Sequence, residues 1–146
     1  MNVAVRQPAV TGAHIDAIEA GIRTELAPVH INEKNHFSKG VYAREIFIPK
    51  GTVLTGKIHK YANLNIMSKG DLSVLMDDGS VKRVQAPFTC VSPAGTRRVA
   101  YAHEDTVWTT IHGTDEQCVE KIEAEFIAQT PREFELFCEQ QLQIKG

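Results

Sequence analysis

Between Val41 and Thr114 short apolar-rich runs alternate with turn residues. VYAREIFI runs into Pro-Lys-Gly, TGKIHKYANLNIM into Ser-Lys-Gly-Asp, LSVLM into Asp-Asp-Gly-Ser, VKRVQ into Ala-Pro-Phe and TCVS into Pro-Ala-Gly. RRVAYA, the polar triplet His103-Glu104-Asp105 and TVWTTIH complete the series. Strand-length runs broken at intervals of roughly 8–12 residues predict an all-β barrel or sandwich. Asp78-Gly79 marks a tight hairpin between LSVLM and VKRVQ.

The flanks follow a different period. Ile15, Ile18, Ile22 and Leu26 recur every three to four residues, which predicts a helix capped by Thr11 and closed by Pro28. Thr114-Asp-Glu-Gln117 and Thr130-Pro-Arg-Glu133 both fit the capping box, the second with Pro131 at the first helical position. Val119, Ile122 and Phe126 then share one face of a first C-terminal helix, and Phe134, Phe137 and Cys138 one face of a second. Those faces bury against the chain's own barrel or against a second subunit, and packing on the barrel is the simpler outcome. His30 and His36 fall in a polar stretch before the first predicted strand, where a surface loop is expected.

Composition narrows the class. The chain has 146 residues, 42% hydrophobic and 23% charged, enough for one domain with its own core. The expected organisation is an N-terminal helix and arm (1–40), a barrel (41–114) and C-terminal helices (115–146). A formal net charge of −2 argues against a nucleic-acid partner held by bulk charge. Three cysteines, Cys90, Cys118 and Cys138, form neither a disulfide framework nor a CxxC metal site. The opening MNVAVRQPAVTGAH lacks the basic and apolar regions of a secretory signal, so a cytoplasmic setting with no membrane partner is expected.

The glycines and Pro-Ala-Gly of the β zone carry a spacing that resembles the cupin family. The family's first motif is Gly, five residues, His-x-His, three or four residues, Glu, six residues, Gly. Gly51, Lys57, Ile58, His59, Asn63 and Gly70 fall on it. The second is Gly, five residues, Pro-x-Gly, two residues, His, three residues, Asn, and Pro87, Pro93-Ala94-Gly95, Arg98 and Ala102 fall there. The chain is also similar to small uncharacterised cupins often encoded by bacteriophages. The resemblance implies an all-β, cupin-type jelly-roll barrel, to which the residue periodicities add one N-terminal helix and two short C-terminal helices. It also locates the family's four metal ligands at Lys57, His59, Asn63 and Arg98. Protonated lysine and arginine have no lone pair for a metal, and an asparagine with one histidine makes a poor site, so no metal cofactor is expected.

Strand alternation carries the reading inward. With His59 facing the interior, Lys57, Tyr61 and Asn63 share its face, with Asn65 following if the strand stays regular. Arg98 joins them from the second motif, and Trp108 and His112 from the last strand, leaving Val107 and Ile111 for a face covered by helices. Lys57, His59, Tyr61, Asn63, Arg98, Trp108 and His112 are therefore the candidate ligand-binding residues. Two cations with no acidic residue assigned beside them call for an anionic or sugar-like small ligand, with Glu45 or Glu104 at the mouth as alternative partners. Like charge from Lys57 and Arg98 is expected to lower the His59 pKa and keep the ring neutral. That leads to the first of three readings, a metal-free small-molecule binder. The second is an enzyme, either an acid–base catalyst using His59 and Tyr61 or a divalent-metal protein with relocated ligands at His59, His112 and His103 or Glu104. The third is a structural or interaction protein. A homodimer is expected, since cupins commonly pair through their sheets.

Overall fold

The computed structural model describes residues 31–76 and 78–145. The predicted helix over Ile15–Leu26 lies outside the described residues. From Ile31 onward eleven strands and two helices follow: β1 (Asn32–Ser38), β2 (Val41–Ile48), β3 (Val53–Thr55), β4 (Ile58–His59), β5 (Asn63–Lys69), β6 (Asp71–Leu75), β7 (Val81–Gln85), β8 (Phe88–Ser92), β9 (Val99–Ala102), β10 (Thr106–His112), α1 (Val119–Phe126), β11 (Ile127–Ala128) and α2 (Pro131–Lys145). They build a five-stranded sheet in the order β1-β2-β10-β5-β8 and a four-stranded sheet β3-β9-β6-β7, with β11-β4 as a separate pair. All pairings are antiparallel.

Alternation decides what the two sheets enclose. Tyr42, Ile46 and Ile48 of β2 are buried, as are Asn63, Asn65 and Met67 of β5 and Thr106, Thr110 and His112 of β10. These are every-second-residue sets, and cross-strand partners point to the same side. Facing them from the four-stranded sheet are Leu72, Val84 and Ala102, which with Ile46, Ile48 and Met67 form the apolar core. The interior therefore has two halves. One is hydrocarbon around Met67; the other, toward His112, is polar.

Two strand expectations change. TGKIHKYANLNIM is not one strand: Gly56-Lys57 and the stretch Lys60–Ala62 divide it into β3, β4 and β5. Gly56 donates its N–H to the Arg98 carbonyl at 2.8 Å, and Gly95 donates to the His59 carbonyl at 2.8 Å, so the chain threads between sheets here. The polar stretch around His36 is not a loop but β1, an edge strand whose seven residues are all exposed. An edge strand without a buried face shows no apolar alternation, so periodicity is blind to it. His36 is on the surface, 3.3 Å from Glu45.

The turns follow their residues. Gly79 takes φ 85° in the Asp78-Gly79 hairpin, with Ser80 N–H donating to Asp78 Oδ1 at 2.9 Å. Gly70, between β5 and β6, takes φ 114° and lies against Thr106.

Both C-terminal helices are present, but only one of the two capping boxes forms. α1 starts at Val119 with Cys118 at its N-cap and no side-chain cap, because Thr114 turns back on Glu116 N–H instead. At α2, Thr130 Oγ1 accepts from Glu133 N–H at 3.1 Å, and Glu133 Oε2 accepts from Gln129 N–H at 2.9 Å. Replacing Thr130 by alanine should cost about 1 kcal/mol, seen as a lowered urea midpoint with an unchanged slope. An unchanged midpoint would show that the cap adds nothing to docked α2. No helix among the described residues is long and apolar enough to cross a membrane.

Candidate functional site

The polar half of the interior is built around Asn65. Its Oδ1 accepts from Thr110 Oγ1 at 2.8 Å and from Trp108 Nε1 at 3.1 Å. Its Nδ2 donates to Asn63 Oδ1 at 2.8 Å and to Ser92 Oγ at 3.0 Å. Asn63 in turn donates from Nδ2 to the Tyr61 carbonyl at 3.3 Å. Strand register explains the convergence, since Asn65 lies opposite Thr110 on one side and Asn63 opposite Ser92 on the other. The Asn65 amide, 4% exposed, has its polar groups satisfied and forms a rigid floor.

Above that floor lie two imidazoles. The rings of His59 and His112 are 5.5 Å apart and 24° from parallel. On its other side His112 meets Tyr42, its register partner on β2, with ring centroids 6.1 Å apart. Tyr42 donates its hydroxyl to Asn35 Oδ1 at 2.5 Å. The roof is Phe126 of α1, whose ring centroid lies 4.7 Å from that of His112. His59 Nδ1 is buried and has no hydrogen-bond partner among the described residues.

Arg44 gives the chamber its charge. It follows Tyr42 by two residues and is paired in register with Thr110, so it faces inward. Its Nε lies 3.0 Å from Glu33 Oε1 without hydrogen-bond alignment. The electrostatic consequence is plain at both rings. His59 is pushed down to about 4, first by burial and then by the positive surroundings of His112, Arg44 and Lys57. His112 is also lowered, by burial and by Arg44. Burial and Glu33 raise Tyr42. Near neutrality both imidazoles are therefore uncharged, each with one donor and one acceptor nitrogen. The lowered His59 agrees in direction with the sequence reading, but its main cause is burial rather than like charge.

The sequence-derived site residues are placed as follows. His59, Asn63, Trp108 and His112 lie on the inner side together. Lys57 does not belong to a strand, and its Nζ lies 2.6 Å from Glu123 Oε1 of α1, an acidic partner the sequence reading lacked. Arg98 is half-buried just before β9, and its carbonyl accepts from Gly56 N–H at 2.8 Å. Tyr61 is 42% exposed and turns to the helices, edge-on to Phe126 at 5.7 Å and to Phe137 at 5.3 Å. The helices thus cover the mouth beside Tyr42 and His112, not a face made by Val107 and Ile111 as expected.

His103 is bonded to Ser73 Oγ at 2.6 Å, and Glu104 pairs with Lys50 at 3.5 Å, so neither joins His59 and His112. Among the described residues no group of three or more His, Cys, Asp or Glu side chains is arranged to hold a metal ion. The donor set at the four motif positions does not fit a metal either: a salt-bridged lysine, one imidazole, an amide committed to other amides, and an arginine.

Sequence reasoning missed Arg44, Glu123 and Phe126 as members of the site. Arg44 was within reach, because it has the same parity as Ile46 and Ile48 in VYAREIFI. Glu123 and Phe126 approach from a distant helix, and no local pattern reports that docking.

No family model matches the chain, and no curated protein matches it. Solved structures do. A Klebsiella pneumoniae protein with a double-stranded β-helix domain superposes with TM-score 0.50 at 10% identity, over 63% of this chain and 80% of its own. A cupin-2 domain containing protein from Shewanella frigidimarina gives 0.48 at 14% identity, over 65% and 92%. An acetylacetone dioxygenase from Acinetobacter johnsonii gives 0.45 at 15% identity, over 57% of this chain and 59% of its own. At these identities the likeness speaks to architecture and not to chemistry. The sheets, their order and the Klebsiella neighbour agree on one conclusion: this chain has a double-stranded β-helix fold.

Proposed function

We propose that this chain is a metal-free small-molecule-binding protein that takes an anionic or sugar-like ligand in the polar half of its barrel. The observation that carries the reading is the unpartnered, buried Nδ1 of His59, set against His112 and Arg44 above a floor whose polar groups are already satisfied. A buried polar atom without a partner is costly unless something else completes it. A ligand hydroxyl opposite His59 would do so, and Arg44 supplies the charge for a carboxylate or phosphate nearby. Lys57, engaged with Glu123, acts at the rim rather than at the ligand.

A thermal-shift screen of chelator-treated protein against sugar phosphates and hydroxydicarboxylates tests this. A ligand at a hundredfold its dissociation constant should stabilise the fold by about 2.7 kcal/mol. Arg44→Met should remove that gain for anionic ligands. A shift that needs added metal, or one that survives Arg44→Met and His59→Gln together, contradicts the reading. The neutral state of His59 supports one second reading, a general base at neutral pH. Its acid partner would have to be the ligand itself, because His112 is uncharged at that pH and Tyr61 turns toward the helices.

A further inference from the structure

The mouth beside His112 is closed by α1, β11 and α2, and the seam that holds them differs from the seams of the barrel. β2 and β10 pair along the full length of Thr106–His112, whereas β11 meets β4 only at Ile127–His59 and Ala128–Ile58. Tyr61 against Phe126 and Phe137, and Phe134 against Gly95, add aromatic contacts, and a further backbone bond of the seam falls at Lys60. Its N–H donates to the Phe126 carbonyl at 2.7 Å, and its Nζ donates to the Ala124 carbonyl at 3.0 Å. Beside it stands the Lys57–Glu123 ion pair, whose side chains are 37% and 39% exposed. Exposed pairs of this kind exchange readily with hydration. Phe126 belongs to a small cluster with Tyr42 and Ile122, separate from the core around Met67. Lifting the segment therefore leaves the main core intact. The residues before α1 suit a hinge: Gly40 N–H holds Asp115 Oδ1 at 2.5 Å, and past that anchor Cys118 is extended, with φ −88° and ψ 113°.

We infer that Val119–Lys145 is a hinged cap on the barrel, that Phe126 is its plug over His112, and that the cap opens as a unit to admit the ligand. The inference rests on the interior being the ligand site, as proposed above. Its opening, however, is measurable without any ligand. The full chain is followed by amide hydrogen exchange and by carbethoxylation with diethylpyrocarbonate, mapped by peptide mass. His36, exposed on β1, serves as the reference for reagent reactivity. The Lys60 amide, bonded across the seam to the Phe126 carbonyl, should exchange at least about tenfold faster than those of β10, because sub-global openings lie below the global one. His112 labelling should follow that opening, rise about two- to fivefold in Glu123→Gln, and rise further in Phe126→Ala, while His36 labelling stays constant.

Exchange of the cap at the same rate as β10 would overturn the inference. So would His112 labelling that ignores a faster-opening cap in Glu123→Gln. A cap that opens over a barrel that binds no ligand would leave this inference standing and remove the ligand reading.

Discussion

Gly70→Ala is expected to be the most damaging single substitution in the barrel, at about 4 kcal/mol. Two costs combine. At φ 114° an L side chain is strained, which costs roughly 1–3 kcal/mol. A Cβ built there would also lie 2.6 Å from Thr106 Cα, a backbone atom that cannot step aside like a flexible side chain. Relieving that overlap costs typically another 1–3 kcal/mol. Thr106 is fully buried, and its Oγ1 donates to the Glu104 carbonyl and accepts from Asp71 N–H, so displacing it disturbs the starts of β6 and β10 together. Equilibrium unfolding in urea reads the loss. Gly51→Ala makes a useful contrast, since a Cβ there meets nothing within 4 Å and only the backbone strain at φ 85° remains. Equal losses at the two positions would show that Thr106 yields more easily than its burial implies.

The second large effect is acid destabilisation through His59. Burial and its positive neighbours hold the folded-state pKa at about 4, below the unfolded value of 6.5. Between those values the unfolded chain binds more protons than the folded one, so stability rises with pH. The contribution is complete above about pH 6.5, is lost as the pH falls toward 4, and changes no further below that. A depression of this size corresponds to about 3 kcal/mol. His112, lowered for the same reasons, adds to the loss in the same direction. Unfolding free energies measured between pH 7 and pH 4 should fall steeply for the native chain and much less for His59→Gln. Equal slopes in the two proteins would place the proton uptake elsewhere.

What the sequence made legible, and what it did not, follows from the range of the interactions involved. VYAREIFI, LSVLM, VKRVQ and TVWTTIH each became a strand, because period-two burial and turn chemistry act within a few residues. The interior placement of His59, Asn63, Trp108 and His112 follows from the same parity, once one residue is known to face inward. Parity fails where the strand does. Gly56-Lys57 and the residues after His59 leave the ladder, so alternation misassigned Lys57 and Tyr61. The acidic partner of Lys57 comes from α1, 66 residues on in the chain, and the roof over His112 comes from the same helix folding back over β10; tertiary docking of that kind leaves no local signature. The capping box at Thr114 fails for a related reason. The segment from Thr114 to Cys118 is held by Gly40, so the helix begins later than its own residues prefer.

The chemistry at the motif positions was easier to read than the geometry. Protonated lysine and arginine offer no lone pair to a metal and an amide is a poor ligand, whatever their exact orientation. What changed on folding is the source of the positive charge at the two imidazoles, where Arg44 acts ahead of Lys57.

The central claim, that the barrel interior binds a small anionic or sugar-like molecule without a metal, is tested most directly by NMR of the histidine ring resonances in chelator-treated protein. Glucose 6-phosphate and malate are suitable first probes, followed by the ligands found by thermal shift. The account predicts saturable shifts of His59 and His112, with His36 and His103 unmoved and the response lost in Arg44→Met. Ring resonances of His59 and His112 that stay fixed under every ligand that stabilises the protein, or that move only when a divalent metal is added, would contradict it.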